Sequence, residues 1–278
     1  MNLLSRNEIK SLLIKYSSKP LKGLGQNFLI DRNILEKIIK SADIKPTDIV
    51  LEVGPGLGTL TQGLAKLAKK VVAIEKDKTM CEILKETIKD YKNVEIINAD
   101  ILHYKLQATS YKLVANIPYY LTSPLIRKFL EGKNPPQKMI LMLQKEVAQR
   151  ICAKPPKMSL LAVSVQFYAD AKIISYVSKN CFWPSPKIAS AIIRISQIRT
   201  SLPQIDTNLF FKIVKAGFSQ PRKQLAGNLS KMLKTEKTQI EKWLLNNNIN
   251  PRQRAETLSI EDWKNLAYKL DGEARHRH

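Results

Sequence analysis

Asn116, Pro118 and Tyr119 stand together in the stretch LVANIPYYLTSPL, residues 113–125. Leu113 to Ala115 reads as the end of a buried strand. Pro118 takes the chain out of it, because proline has no N–H for a ladder and drives Ile117 away from helical geometry. The Asn116 amide oxygen accepts a hydrogen bond, and carbonyls of the turn lie beside it. Together they suit the two N–H bonds of an exocyclic amine such as that of adenine. That amine is a poor nucleophile, since its lone pair is delocalised into the ring. Acceptors on both hydrogens favour a more tetrahedral nitrogen aimed at an electrophile, and a sulfonium methyl is one. Orientation and electrostatic stabilisation then carry the transfer without a strong general base. Tyr119 offers a ring to stack on the base, and Pro118 stiffens the turn. In isolation the same residues make a plain turn with Asn as a local backbone partner; what lies upstream favours chemistry.

Upstream, LEVGPGLGTLTQGL (51–64) follows an apolar strand and opens a helix. Gly54, Gly56 and Gly58 let the backbone turn tightly and approach a ligand. Glu75 ends the next strand, 19 residues after Gly56, where an acid binds ribose hydroxyls. Asp100 ends the third. All would line the carboxyl edge of one sheet. The glycines read G-x-G-x-G with Glu52 just ahead, rather than the G-x-G-x-x-G of NAD sites. That spacing disfavours NAD without excluding it, and the Asn116 turn decides for S-adenosylmethionine.

The elements that must hold these residues follow from the pattern. Apolar runs at 48–56, 70–77, 93–100, 111–119 and 138–147 read as strands, with amphipathic stretches between them. The alternation predicts a parallel sheet wrapped by helices. Near-continuous apolar runs predict that both sheet faces are covered. LLAVSVQFYADAKIISYV (160–177) and IASAIIRISQI (188–198) read as an antiparallel hairpin closing the sheet edge. The fold class is therefore α/β, with a seven-stranded, mostly parallel, Rossmann-like sheet. After residues 199–206 the pattern is helical to the end. The expected domains are 1–201, catalytic, and 202–278, helical. Lys10, Lys15, Lys19 and Lys22 suggest that residues 1–22 form a flexible basic arm that orders on its nucleic-acid partner.

The chain has 278 residues and carries 46 Lys and Arg against 24 acids, a net charge of +22. Such an excess points to a polyanion, with nucleic acid favoured, because neutralising phosphates releases counterions. No apolar run is long enough to span a membrane, no basic amphipathic anchor helix stands out, and the N-terminus does not read as a signal peptide. Cys81, Cys152 and Cys181 are scattered, which argues for a reducing cytoplasm over a disulfide framework. Neither they nor His103, His276 and His278 have metal-site spacing, so no metal is expected. In the tail from residue 199, 15 basic residues face 8 acids, a net +7. Arg222, Lys223, Arg252 and Arg254 are its best candidates for phosphate contact.

From Gly23 on, the sequence resembles the ribosomal RNA adenine N6-dimethyltransferases, most closely the bacterial small-subunit (16S), KsgA-type branch. The Erm enzymes, which modify large-subunit rRNA, are similar at greater distance. GLGQNFLID (23–31), LEVGPGLGTLT, NADIL and NIPYYLTSPL resemble family motifs in order, followed by FWPSPKIASAIIRI, GFSQPRKQLAGNL and RAETLSIEDW. The resemblance implies that Asn27 and Leu29 cover the methionine end of S-adenosylmethionine and that Gly54 and Gly56 approach it. It gives Glu75 the ribose and Asp100 the adenine amine, and faces Asn116 to both the methyl and the target nitrogen. Tyr119 and Phe182 would sandwich a flipped base, although Phe182 read alone is a core aromatic. Pro184 and Pro186 stiffen its loop.

The implied activity is dimethylation of N6 on two adjacent adenines in the 3′-terminal hairpin loop of 16S rRNA. The implied setting is the immature 30S subunit, with a role in its biogenesis, for a cytoplasmic monomer. Rival readings are an Erm-type enzyme acting on 23S rRNA and a mainly non-catalytic assembly factor. The chain departs from the family at Ala189, where Asp is usual, at Pro221, where Arg is usual, and in AKPPKMSLLAVS, which lacks a glycine-tyrosine turn. These bear on RNA contacts, away from the cofactor motifs.

Overall fold

The computed structural model describes residues 1–199 and 205–275. Helix α1 (Arg6–Lys15) precedes a short strand β1 (Phe28–Leu29) and α2 (Arg32–Ala42). Then β2 (Ile49–Val53), β3 (Lys70–Glu75), β4 (Val94–Asn98), β5 (Lys112–Asn116) and β6 (Lys138–Gln144) alternate with α3 (Thr59–Ala65), α4 (Lys78–Thr87) and α5 (Thr122–Glu131). After α6 (Lys145–Ile151) and α7 (Leu160–Gln166) come β7 (Asp170–Val177), β8 (Phe182–Trp183) and β9 (Ser190–Ser196). The tail is helical: α8 (Thr207–Gly217), α9 (Leu225–Leu233), α10 (Lys237–Leu245) and α11 (Ile260–Arg275).

Seven strands form one sheet in the order β4-β3-β2-β5-β6-β9-β7. The first five are parallel, and β9 runs antiparallel to both neighbours. Strands alternate their side chains between faces. Val50, Val71, Val114 and Ile140 share a cluster with Ile34 and Ile38 of α2 and Leu60 and Leu64 of α3. Ala73 packs with Leu84 of α4 and with Ile88, which caps that helix. The opposite face is covered too, since Leu51, Leu113, Met139 and Leu141 are fully buried.

The chain divides into two compact units: Met1–Ala148 with Asp170–Ile198, and Gln149–Ala169 with the chain from Arg199 onward. A cut near Ser201 falls outside the described residues, as do His276 and His278. The segment 149–169, which the sequence reading leaves in the catalytic domain, belongs to the second unit. Part of it also differs in kind. Residues 160–166, expected as strand, form α7, capped by the Ser159 hydroxyl, which accepts from Ala162 N. A short apolar run fits a buried strand or a buried helix equally well, and here the cap and a helical core decide. Ala162, Val163 and Phe167 pack with Phe210, Leu225 and Trp263.

The basic arm is also corrected for residues 3–16. Leu3, Ile9, Leu12 and Leu13 pack with Phe28, Leu57, Met80 and Ile83. Lys15 and Tyr16 both bond Glu86 of α4, at 2.6 and 2.7 Å. Four apolar side chains on one side of this segment give it a core to join without RNA, and the lysines occupy its wet side.

Candidate active site

Strand order reverses between β2 and β5, and in open α/β sheets ligands bind beyond the carboxyl ends of strands at such a point. A cleft opens there. Asn27, Leu29, Gly54, Gly56, Glu75, Asp100 and Asn116 all line it, with Pro118 beside them. Val53 is the last residue of β2 paired with both Ile74 and Ala115, so the glycine turn, Glu75 and Asn116 emerge side by side.

Gly54 and Gly56 have φ of +68° and +55°, a region that side chains disfavour. The turn aims the Gly56 N–H at Glu75 Oε2, 3.1 Å away, while Asp77 N–H reaches Oε1 at 2.9 Å. Burial pushes the Glu75 carboxyl above its ordinary pKa, and those backbone donors oppose the shift. Asn98, opposite Glu75 on β4, donates to the Glu75 and Lys76 carbonyls and braces the strand end.

Glu52 is a second acid in the wall, 1% exposed. Burial pushes its pKa up to about 8; the nearby Thr61 hydroxyl favours the charged form, and Glu75 disfavours it. Among the described residues neither Glu52 Oε2 nor Thr61 Oγ1 has a hydrogen bond of good geometry. Asp100 contrasts with it. Lys76 Nζ pairs with its Oδ2 at 2.9 Å and Leu102 N–H with its Oδ1 at 2.9 Å. The lysine holds that carboxyl below the usual range.

Asn116 is the last paired residue of β5, opposite Met142. Its Nδ2 donates to the Asn27 carbonyl at 3.3 Å. With the nitrogen end engaged, the oxygen end is the one left to accept from a ligand amine. Pro118 packs beside Gly25 and Gly54. Tyr119 is half-buried, and its hydroxyl lies 3.2 Å from Ser190 Oγ. Tyr120, absent from the sequence-based set, is 54% exposed and lines the cleft; its place next to Tyr119 was the available signal.

Of the expected catalytic residues, Tyr119 and Phe182 do not line the cleft, and Phe182 lies in the core. It is 3% exposed, pairs with Leu29 across the β1–β8 ribbon, and packs with Ile34 and Val177. In this arrangement its ring is core and offers no open face to a base. The apolar side chains of α2 and β7 claim it first.

In the second unit, Arg222, Lys223, Arg252 and Arg254 are all exposed. They sit on two loops tied together by Leu225 N–H to Gln253 O at 2.8 Å and Ala226 N–H to Pro251 O at 3.2 Å. Residues 30 positions apart in sequence thus form one basic patch, with Arg254 also 3.7 Å from Glu256.

The family model described as ribosomal RNA adenine dimethylase matches residues 18–271. The chain belongs to the ribosomal RNA adenine dimethylase family. It is 43% identical to the ribosomal RNA small subunit methyltransferase A of Dehalococcoides mccartyi, strain CBDB1, over 95% of this chain and 93% of the relative. It is 42% identical to the protein of that name from Alkaliphilus oremlandii, over 96% and 98%. Among solved structures, a dimethyladenosine transferase from Plasmodium falciparum aligns with TM-score 0.78 at 27% identity, covering 88% of this chain and 98% of that one. The 23S rRNA methyltransferase ErmE aligns with TM-score 0.74 at 27% identity, covering 88% and 100%.

The methyl donor of this adenine dimethylase is S-adenosylmethionine, and the cleft fits it. The unpartnered Glu52 oxygen leaves a buried polar group for a ligand to meet, the Glu75 carboxyl suits hydroxyls, and the positive-φ glycines leave room for close backbone approach. Among the described residues no cluster of three or more His, Cys, Asp or Glu side chains is placed to hold a metal ion. No described helix is long and apolar enough to cross a membrane.

Proposed function

We propose that the chain transfers methyl groups to N6 of two adjacent adenines in the 3′-terminal hairpin loop of 16S rRNA, two per base. Its substrate is the immature 30S subunit in the cytoplasm, and it acts there as a monomer during small-subunit biogenesis. The observation that carries this reading is the Asn116 amide. It stands at the switch point beside Pro118, with its nitrogen held by the Asn27 carbonyl.

S-adenosylmethionine supplies a methyl group on a positively charged sulfur. Asn27 and Leu29 would hold its methionine end, Gly54 and Gly56 its middle, Glu75 its ribose and Asp100 its adenine. The Asn116 oxygen would accept one N–H of the target amine and so orient the nitrogen lone pair for transfer. Orientation of this kind does the catalytic work, and no residue needs to abstract a proton before attack. Tyr119 stacks on the extruded base, with its hydroxyl steadied by Ser190. Arg222, Lys223, Arg252 and Arg254 hold phosphates at a distance from the chemistry. Phe182 takes part only where RNA binding uncovers it.

Small-subunit specificity rests on the relatives above 40% identity, while the likeness to ErmE keeps a large-subunit substrate as the rival. The intact cleft and turn weigh against a purely binding role in assembly. The test is mass spectrometry of rRNA after incubation with labelled S-adenosylmethionine, using 30S particles and naked 23S rRNA in parallel. Dimethyladenosine in the 3′ hairpin of the former supports the reading. Label on 23S rRNA alone reverses the choice, and label on neither favours the assembly role.

A further inference from the structure

Gln26 lines the cleft without being among the residues expected from sequence, and both ends of its amide are spent within the protein. Its Oε1 accepts from Leu21 N–H at 2.8 Å, which folds the 21–26 loop back on itself. Its Nε2 donates to Asp77 Oδ2 at 2.8 Å, across 51 residues of sequence. Asp77 is a fixed anchor. Its Oδ1 caps α4 through Thr79 N–H and Met80 N–H, and its own N–H bonds Glu75 Oε1.

On either side of Gln26 the strap meets the reactive turn. Gly25, at φ +63°, lies so close that a Cβ there would stand 3.4 Å from Pro118 Cβ. The Asn27 carbonyl receives Asn116 Nδ2, and Asn27 Nδ2 donates to the Gly25 carbonyl. One side-chain amide therefore joins the base of the ribose acid to the carbonyl that orients the reactive amide.

We propose that Gln26 is a positioning residue for methyl transfer: it latches the 21–28 strap to Asp77 so that the Asn27 carbonyl holds Asn116 in its accepting orientation. This rests on the role given to Asn116 above. The latch acts on the turnover step more than on RNA binding, because Asn116 engages the target amine at the moment of transfer.

The test is a charge-exchange cycle. Gln26→Glu keeps the acceptor for Leu21 N–H but sets a carboxylate against the Asp77 carboxylate. Asp77→Asn keeps the helix cap but sets two amide N–H₂ groups face to face. In the double variant a carboxylate faces an amide, and the bond re-forms with its polarity reversed. Each single variant is expected to lose tenfold or more in kcat, within the roughly 10²-fold that a misplacement of about 1 Å at a reacting centre can cost. Each is also expected to exchange its 21–28 amide hydrogens faster by about tenfold as the strap opens locally. The double variant is expected to recover most of both losses, with the KM for RNA nearly constant throughout. Single variants that exchange like wild type, or a double variant that folds and recovers neither readout, would overturn the latch. Exchange needs no turnover, so a chain that methylates nothing would refute the proposed activity while the exchange cycle still decides on the latch.

Discussion

The side-chain nitrogen of Asn116 donates to the backbone carbonyl of Asn27, 89 residues earlier in the chain, at 3.3 Å. A side-chain amide alone is free to flip; this bond picks one of its two orientations. In the proposed reaction this leaves the Asn116 oxygen to accept from the target amine.

Asn116→Ala removes that acceptor. Loss of one such group costs about 10²–10³ in kcat where it stabilises a transition state. Affinity for S-adenosylhomocysteine, read by calorimetry, should change far less. A variant with wild-type turnover would refute the assigned role.

Glu52 makes stability depend on pH in an unusual direction. The folded chain keeps its proton up to about pH 8, whereas the unfolded chain loses it near the ordinary 4.5. Between these limits the folded state binds more protons, so its contribution to stability falls as pH rises. Glu52→Gln abolishes that penalty. Relative to wild type, its melting temperature should climb between pH 5 and pH 8, by more than about 2 °C. Parallel curves would show that the carboxyl is already ionised.

Tyr119 and Phe182 should separate cleanly. Phe182→Ala empties a core position and is expected to cost about 3–5 kcal/mol of stability in denaturant unfolding. Tyr119→Ala should leave unfolding nearly unchanged and weaken RNA binding by about 1–3 kcal/mol, the scale of one lost base stack. A Phe182→Ala protein of wild-type stability would return that ring to the base pocket.

The basic patch is tested by salt. Each true phosphate contact among Arg222, Lys223, Arg252 and Arg254 contributes about one unit to the slope of log affinity against log salt. Alanine at all four should therefore flatten the slope by about 4. An unchanged slope would place the RNA elsewhere.

Much of this architecture is legible in the residues. The apolar run Ile49–Val53 ending in Gly54-Pro55-Gly56 announces a buried strand that must turn at a ligand. Glu75 and Asn116 follow at the ends of equivalent runs. Other features hide for specific reasons. The strand reading of residues 160–166 overlooks a Ser159 cap that the sequence does print. Asp31 likewise caps α2 ahead of Arg32–Ala42, an amphipathic stretch that lies before the first predicted strand and outside the strand–helix alternation. The burial of Phe182 depends on Leu29, and the Gln26 bond depends on Asp77. Both partners are set by tertiary packing, which no local pattern encodes.

The second unit is sewn from two stretches, with β7 and β9 threaded between them. Its tail is thus no detachable cassette. Trimming the chain after β9 would bare Ala162, Val163 and Phe167 to water, inviting precipitation of a still-complete cofactor cleft. Any transplant of this module between homologues must carry residues 149–169 along with the tail, as a matched pair.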